Sequence, residues 1–249
     1  MPVTAEARGR VLVVAIDRPH KRNAIDADIS AGIDAALNRL DDDPELWVGI
    51  LTGTDSLFSA GTDLRSGAGV GSERGGEYGL IRRRRVKPLI AAVEGIAFGG
   101  GFEIALACDV IVASTTARFA LPETRRGLVA TSGALFRVMR ALPPHLAKEL
   151  LITGAELDAE RGYQLGLVNR VTPPGHALSG ALQVADDICA SSPVSVRATL
   201  AAIAVQLEDD DQRGWHATAD AISNVRAGQD MAEGIAAFFE HRPPSWPGR

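Results

Sequence analysis

The chain has 249 residues with 26 Lys and Arg against 31 Asp and Glu, a formal charge of −5; 46% of residues are hydrophobic, 23% charged and 5% aromatic. That composition excludes a disordered or fibrous chain, and its mild acidity argues against general nucleic-acid binding. The length fits one large domain, or a core with an appendage, that buries enough surface to need no disulfide or metal staple.

Nothing in Met1 to Arg10 reads as an export signal, and the apolar run after it, Val11 to Ile16, is too short for a signal core. Val11 to Asp17 is β-branched and stops at Pro19, which predicts a strand. Asp26 or Asp28 caps a predicted helix whose Ile29, Ile33, Leu37 and Leu40 fall at helical spacing, ending at Asp41-Asp42-Asp43-Pro44. Val48 to Thr52 is a second buried strand, Gly53 to Asp63 a loop, and Gly67 to Gly76 a glycine-rich loop. A short helix is expected around Tyr78 to Arg85, with Arg82 to Arg85 as a solvated basic face. Leu89 to Val93 predicts a third strand, the glycines at 99 to 101 the start of a helix through about Ala107, and Val110 to Ala113 a fourth strand. The charges at Glu94, Glu103 and Asp109 exclude a bilayer span over this apolar stretch. Arg118 to Ala120 is a short extended piece. Helices follow over Ser132 to Ala141 and Pro144 to Ile152, and a third runs from Asp158 to a C-cap at Gly166. Leu167 to Val171 is a last strand. From Gly175 to Phe239 the pattern is helical, with breaks near Pro193, Gly214 and Gly228. Alternation early and helices late indicate an α/β core with a helical C-terminal extension.

No GxGxxG, GxxxxGK or GxSxG occurs, and the five histidines show no ligand spacing, so neither a nucleotide fingerprint, a nucleophile elbow nor a metal site has support. The two cysteines, Cys108 and Cys189, form no CxxC pair and point to buried thiols in a reducing, cytoplasmic setting.

Three segments carry polar or flexible residues where packing does not require them. Phe58 to Asp63 places small residues after a buried strand, either as a plain turn or so that backbone can approach a ligand. Gly99-Gly100-Gly101 opens a helix, either for tight packing or to present free N–H groups, backed by the helix dipole, to an oxyanion. Glu103 lies in the first turn of that otherwise apolar helix, where a carboxylate is costly unless it is paired or protonated. Such a residue is an ion-pair member or a tuned acid/base. Leu121-Pro122-Glu123-Thr124 offers a second carboxyl, as an exposed turn residue or as a partner for the first.

These segments, together with Arg18-Pro19-His20-Lys21-Arg22-Asn23-Ala24, Lys87 to Gly95, Gly99 to Asp109, Phe119 to Glu123 and Gly166 to Val171, resemble the crotonase superfamily, the enoyl-CoA hydratase/isomerase family, over nearly the whole chain. The resemblance implies a ClpP-like ββα spiral core over residues 1–190, and a C-terminal helical trimerisation region over 191–249 forming a homotrimer or dimer of trimers. It implies an oxyanion hole made by the amides of Ala60 and Gly100, and substrate contacts from Ala60, Gly61, Thr62, Asp63, Gly99, Thr131 and Ser132. Glu103 and Glu123, 20 residues apart as in hydrating members, would handle a water molecule. Lys21 and Arg22 would meet the CoA phosphates. The implied reaction is syn addition of water to a trans-2-enoyl-CoA, with no cofactor beyond the CoA of the substrate. The same fold also houses isomerases, specialised acyl-CoA lyases and dehydratases, and RNA-binding or acyl-CoA-binding members. Val129 to Ala134 departs from the family's glycine-rich run and keeps only Gly133, and His241 stands where lysine is usual.

Overall fold

The structure, a computed structural model, describes residues 2–249. Two sheets organise the core. The larger has six strands in the order β1 (Val3–Arg8), β2 (Val11–Ile16), β3 (Val48–Thr52), β4 (Leu89–Val93), β6 (Val110–Ser114) and β9 (Arg170–Thr172). β1 pairs antiparallel with β2, and all other neighbours are parallel. The smaller sheet is β5 (Ile96–Phe98), β7 (Arg118–Ala120) and β8 (Glu156–Asp158). Twice the chain leaves the large sheet for the small one, from β4 to β5 and from β6 to β7. This is the ββα spiral that the resemblance implies.

The strands β3 and β4 are buried along their whole length, because helices cover both faces of the large sheet. One face packs on α1 (Ala27–Asp42) and α2 (Gly100–Ala107) through Leu12, Val14, Ile16, Leu51 and Ala91. The alternate residues Val11, Val13, Ile50, Ile90 and Val112 face α6 (Ala177–Cys189), whose Ala177, Ala181 and Ala185 allow close approach. Asp26 caps α1 by accepting from the Ile29 amide at 3.0 Å, and Lys87 closes its other end by donating to the carbonyls of Leu40 and Asp43. Buried Glu94 accepts from the Ala177 amide at 2.9 Å and so anchors the N-terminus of α6. The short helices α3 (Ala134–Ala141), α4 (Pro144–Thr153) and α5 (Ala159–Gln164) complete the core.

Several elements differ from the sequence reading. Val3–Arg8 is a strand although mostly exposed, because pairing with β2 satisfies its backbone. β8, unmarked in the sequence, forms by pairing with β7. The expected helix at Tyr78 to Arg85 is only a 3-10 turn, Glu77–Gly79, followed by turns. The basic run there is solvated only in part, at Arg82 and Arg84. Arg83 is buried and bridges Asp34 and Asp41, while Arg85 pairs with Asp109. The C-terminal helices are α7 (Pro193–Ala227) and α8 (Asp230–Glu240), and Gly214 does not interrupt α7. A side chain at Gly214 would meet the Phe136 ring at 2.5 Å, so this glycine serves packing of α7 on α3 and not a break. Among the described residues, no single helix is long and apolar enough to cross a membrane.

Candidate active site

Three stretches of chain run side by side at one end of the small sheet. The Ser59 amide donates to the Ile96 carbonyl at 2.9 Å and the Phe98 amide to the Ser59 carbonyl at 3.0 Å, aligning 58–62 with β5. On its other side β5 pairs in parallel with β7, and the Gly99 amide donates to the Ala120 carbonyl at 2.9 Å. The register Phe98 with Ala120 therefore brings together the start of α2, which carries Glu103, and the segment Pro122–Arg126, which carries Glu123. Parallel pairing, rather than closeness in sequence, unites carboxyls 20 residues apart.

A buried polar frame holds the first stretch. The Asn23 side chain accepts from the Arg18 amide at 2.7 Å and donates to the carbonyls of Ile16, Leu57 and Phe58. The Ser59 hydroxyl donates to the Asn23 carbonyl at 2.8 Å and accepts from the Gly61 amide at 3.1 Å. Arg18 ties the frame shut by pairing with Asp26 and Asp63. Gly61 has φ +90°, and a Cβ on it would stand 2.6 Å from the Phe98 carbonyl oxygen and 3.0 Å from the Gly100 nitrogen. Only glycine allows this conformation and this approach.

The hydrogen bonds of this stretch correct the expected donor. The Ala60 amide donates to the Arg22 carbonyl at 3.0 Å, Gly61 to Ser59, and Asp63 to the Ile25 carbonyl at 2.9 Å. The Thr62 amide has no partner among the described residues, and neither has the Gly100 amide at the positive end of α2. The free pair is thus Thr62 and Gly100, with Ala60 facing the other way in the alternating pattern of an extended chain. Asp63 is likewise a frame residue. Burial opposes its charge, but the Arg65 amide and the Arg18 guanidinium outweigh it and hold its carboxyl below the usual range.

Glu103 is 2% exposed. Its Oε1 accepts from the amides of Ser132 at 2.6 Å and Ala134 at 3.3 Å. Burial, reinforced by the charge of Glu123, nevertheless pushes its carboxyl up to about 8. Burial also raises Glu123 to about 7, against the local amide and Arg126. One oxygen of Glu123 lies 3.0 Å from where a Cβ on Gly99 would stand, and its Oε2 is buried with no hydrogen-bond partner among the described residues. A buried orphan acceptor is a place for a ligand or a proton.

Of the other expected residues, Ser132 is buried beside Glu103 whereas Thr131 is exposed. Lys21 and Arg22 are exposed on the turn whose Arg22 carbonyl receives the Ala60 amide. The sequence reading missed Tyr78. This phenol is 5% exposed, and its oxygen is 2.8 Å from the Thr62 hydroxyl. The hint was a lone aromatic among Gly75, Gly76 and Gly79 in a chain with two tyrosines. Beyond Glu123, α8 covers Pro122–Arg126 with Phe238 under the Arg126 guanidinium, 4.8 Å from ring centre to Cζ. A cleft of about 330 Å³ lies between them, bounded by Phe98, Ala120, Pro122 and Phe238 among others.

The spiral fold, with two free amides beside two buried carboxyls, defines a class of thioester-handling proteins. Residues 6–249 match the model of the enoyl-CoA hydratase/isomerase family, and the chain belongs to that family. It is 39% identical over 253 aligned positions to a carnitinyl-CoA dehydratase of Proteus mirabilis, covering 97% of each chain. It is 37% identical to a mevalonyl-coenzyme A hydratase of Aspergillus fumigatus, covering 95% of this chain and 91% of that one. Among solved structures, a carnitinyl-CoA hydratase from Mycobacterium avium superposes with a TM-score of 0.93 at 35% identity, covering 100% and 99% of the two chains. The protein is accordingly a crotonase-family enzyme of the hydratase/dehydratase kind that works on CoA thioesters.

Proposed function

We propose that the protein adds water across the C2–C3 double bond of a trans-2-enoyl-CoA, or removes it from the 3-hydroxyacyl-CoA in reverse. The observation that carries this reading is the pair of unpartnered amides, Thr62 and Gly100, next to two buried carboxyls with raised pKa values. The thioester oxygen accepts from both amides, so charge arriving on it as C2 becomes enolate-like is met by donors already in place. One such donor contributes about 3–4 kcal/mol in other enzymes. In the microstate that carries the pair's single proton on Glu123, Glu103, oriented by the Ser132 and Ala134 amides, takes a proton from the water whose oxygen attacks C3. Glu123, protonated, delivers a proton to C2. The pair begins and ends with one proton between two carboxyls, and burial makes that state accessible near neutral pH. The chemistry calls for no cofactor.

Two relatives are named for carnitinyl-CoA and mevalonyl-CoA, which favours a specialised acyl group over a plain fatty chain. Lys21 and Arg22 are proposed to meet the CoA phosphates. The exposed Val194, Ile203, Val205 and Leu207 on α7 support assembly into a homotrimer or a dimer of trimers, to be checked by light scattering. The test of the reaction is loss of the conjugated thioester absorbance across a panel of enoyl-CoA substrates, with Glu103→Gln and Glu123→Gln beside the parent. Hydration should collapse in both variants. Double-bond migration that survives Glu103→Gln would make the enzyme an isomerase instead.

A further inference from the structure

Tyr78 is held in a conformation that side chains rarely adopt, φ +55° and ψ 13°, and is buried while held there. Backbone of this kind persists only where its surroundings over-determine it, and it concentrates at functional sites. Here the surroundings are clear. Gly79 fits against the Ser30 carbonyl and Asp34 of α1, where a Cβ would come within 2.6 Å. Buried Arg83 bonds to Asn38, Asp41, Asp34 and the Gly79 carbonyl. Before the tyrosine, the Ser72 hydroxyl donates to Asp34 of α1, so the loop is clamped to α1 on both sides of Tyr78 and the phenol is driven inward.

Its hydroxyl arrives among the reacting groups. A Cβ on Gly100 would lie 2.6 Å from the phenol oxygen and 3.2 Å from the Thr62 hydroxyl, so Gly100 has no side chain in part because Tyr78 occupies that side of it. The phenol thus touches both residues whose amides are free. The hydroxyls of Thr62 and Ser132 lie against its oxygen, and the charges of Glu103 and, more weakly, Glu123 act on it. Either oxygen of the Thr62–Tyr78 pair can be the donor; with Thr62 donating, the phenol's own proton is free to meet a ligand. Burial and the neighbouring carboxyls keep that proton on the oxygen at all working pH values. The same carboxyls repel an anion, so the acceptor that suits this donor is an uncharged oxygen.

Resting on the proposed thioester site, we infer that Tyr78 determines specificity by donating a hydrogen bond to an uncharged oxygen substituent on the acyl chain beyond C3, so that the preferred substrates are acyl-CoA thioesters bearing a hydroxyl or carbonyl there. An alkyl chain in the same place leaves the buried hydroxyl unmatched, and a site built to bond a hydroxyl discriminates against the analogue that lacks it.

The experiment titrates butanoyl-CoA and 4-hydroxybutanoyl-CoA, neither of which can be hydrated, into the full chain and into Tyr78→Phe by calorimetry. The parent should bind the hydroxylated thioester about 10-fold more tightly, and Tyr78→Phe should bring the ratio to about one. Both ligands go into the same preparation, so the ratio does not depend on the fraction folded, and a merely structural tyrosine would weaken both alike. Equal binding by the parent, or a ratio that Tyr78→Phe leaves unchanged, overturns the inference. But-2-enoyl-CoA and its 4-hydroxy analogue are then assayed for hydration. If neither turns over while the binding ratio holds, the hydratase reading fails and the assignment of Tyr78 stands.

Discussion

Glu103 and Glu123 share a site but sit on supports of opposite character. Glu103 belongs to the first turn of a buried helix, and two amides grip one of its oxygens. Glu123 belongs to a five-residue 3-10 segment, and one of its oxygens is buried without a partner. Burial raises both, so residue type does not separate acid from base; the support does. A carboxyl gripped by amides is fixed in orientation, which suits a base, whereas an unpartnered oxygen leaves room for a proton or a ligand, which suits an acid; burial outweighs the amides in the values themselves, since Glu103 stands above Glu123, so the single proton belongs to the pair and not to one residue.

The largest test of that contrast is removal of each carboxyl. Glu103→Gln and Glu123→Gln should each lower kcat for hydration by about 10³-fold, within the usual range for general acid–base groups, measured on one enoyl-CoA. If either variant kept parental turnover, the two-carboxyl reading would be lost.

Next is the pH dependence of stability. Both carboxyls have folded-state values, about 8 and about 7, above the ordinary 4.5. The folded protein therefore binds protons more tightly than the unfolded chain. Its stability from this pair is full below pH 4.5 and falls as pH rises to about 8, by a few kcal/mol in all. Melting temperature should drop over that window, and the double Gln variant should lose the slope. Activity needs one proton on the pair, so kcat should be bell-shaped with its top between the two values.

A smaller effect separates the two sides. Gly99→Ala introduces a Cβ 3.0 Å from a Glu123 oxygen at a position with φ +51°, and leaves the amides on Glu103 in place. It should cost about 10-fold to 100-fold in kcat through misplacement of the acid. The converse change Ala134→Gly removes only a methyl and retains the amide that meets Glu103, and should leave Glu103 in register. The mildest test is Arg126→Gln. Its charge lowers Glu123, so its loss should move the limb on which Glu123 titrates to higher pH.

Much of the site was legible in the sequence because it rests on backbone chemistry with a compositional signature. Glycines at 99 to 101 and a carboxylate inside an apolar helix turn stand out from the residues around them, and the strands β2, β3 and β4 read directly from their β-branched runs. The Ala60 assignment failed because sequence shows which residues have amides but not which amides are already bonded. The Arg22 carbonyl that takes the Ala60 hydrogen comes from another segment.

Composition and local pattern determined that this chain has an α/β core, a helical C-terminal region and two unusual carboxyls. Tertiary structure alone decided that Thr62 and not Ala60 offers its amide, that Asp63 serves Arg18, and that Arg83 is buried. It also decided that a tyrosine from a distant loop reaches the reacting groups. Each of these depends on a pairing between segments far apart in the chain, and no local preference encodes a partner that folding has yet to bring near.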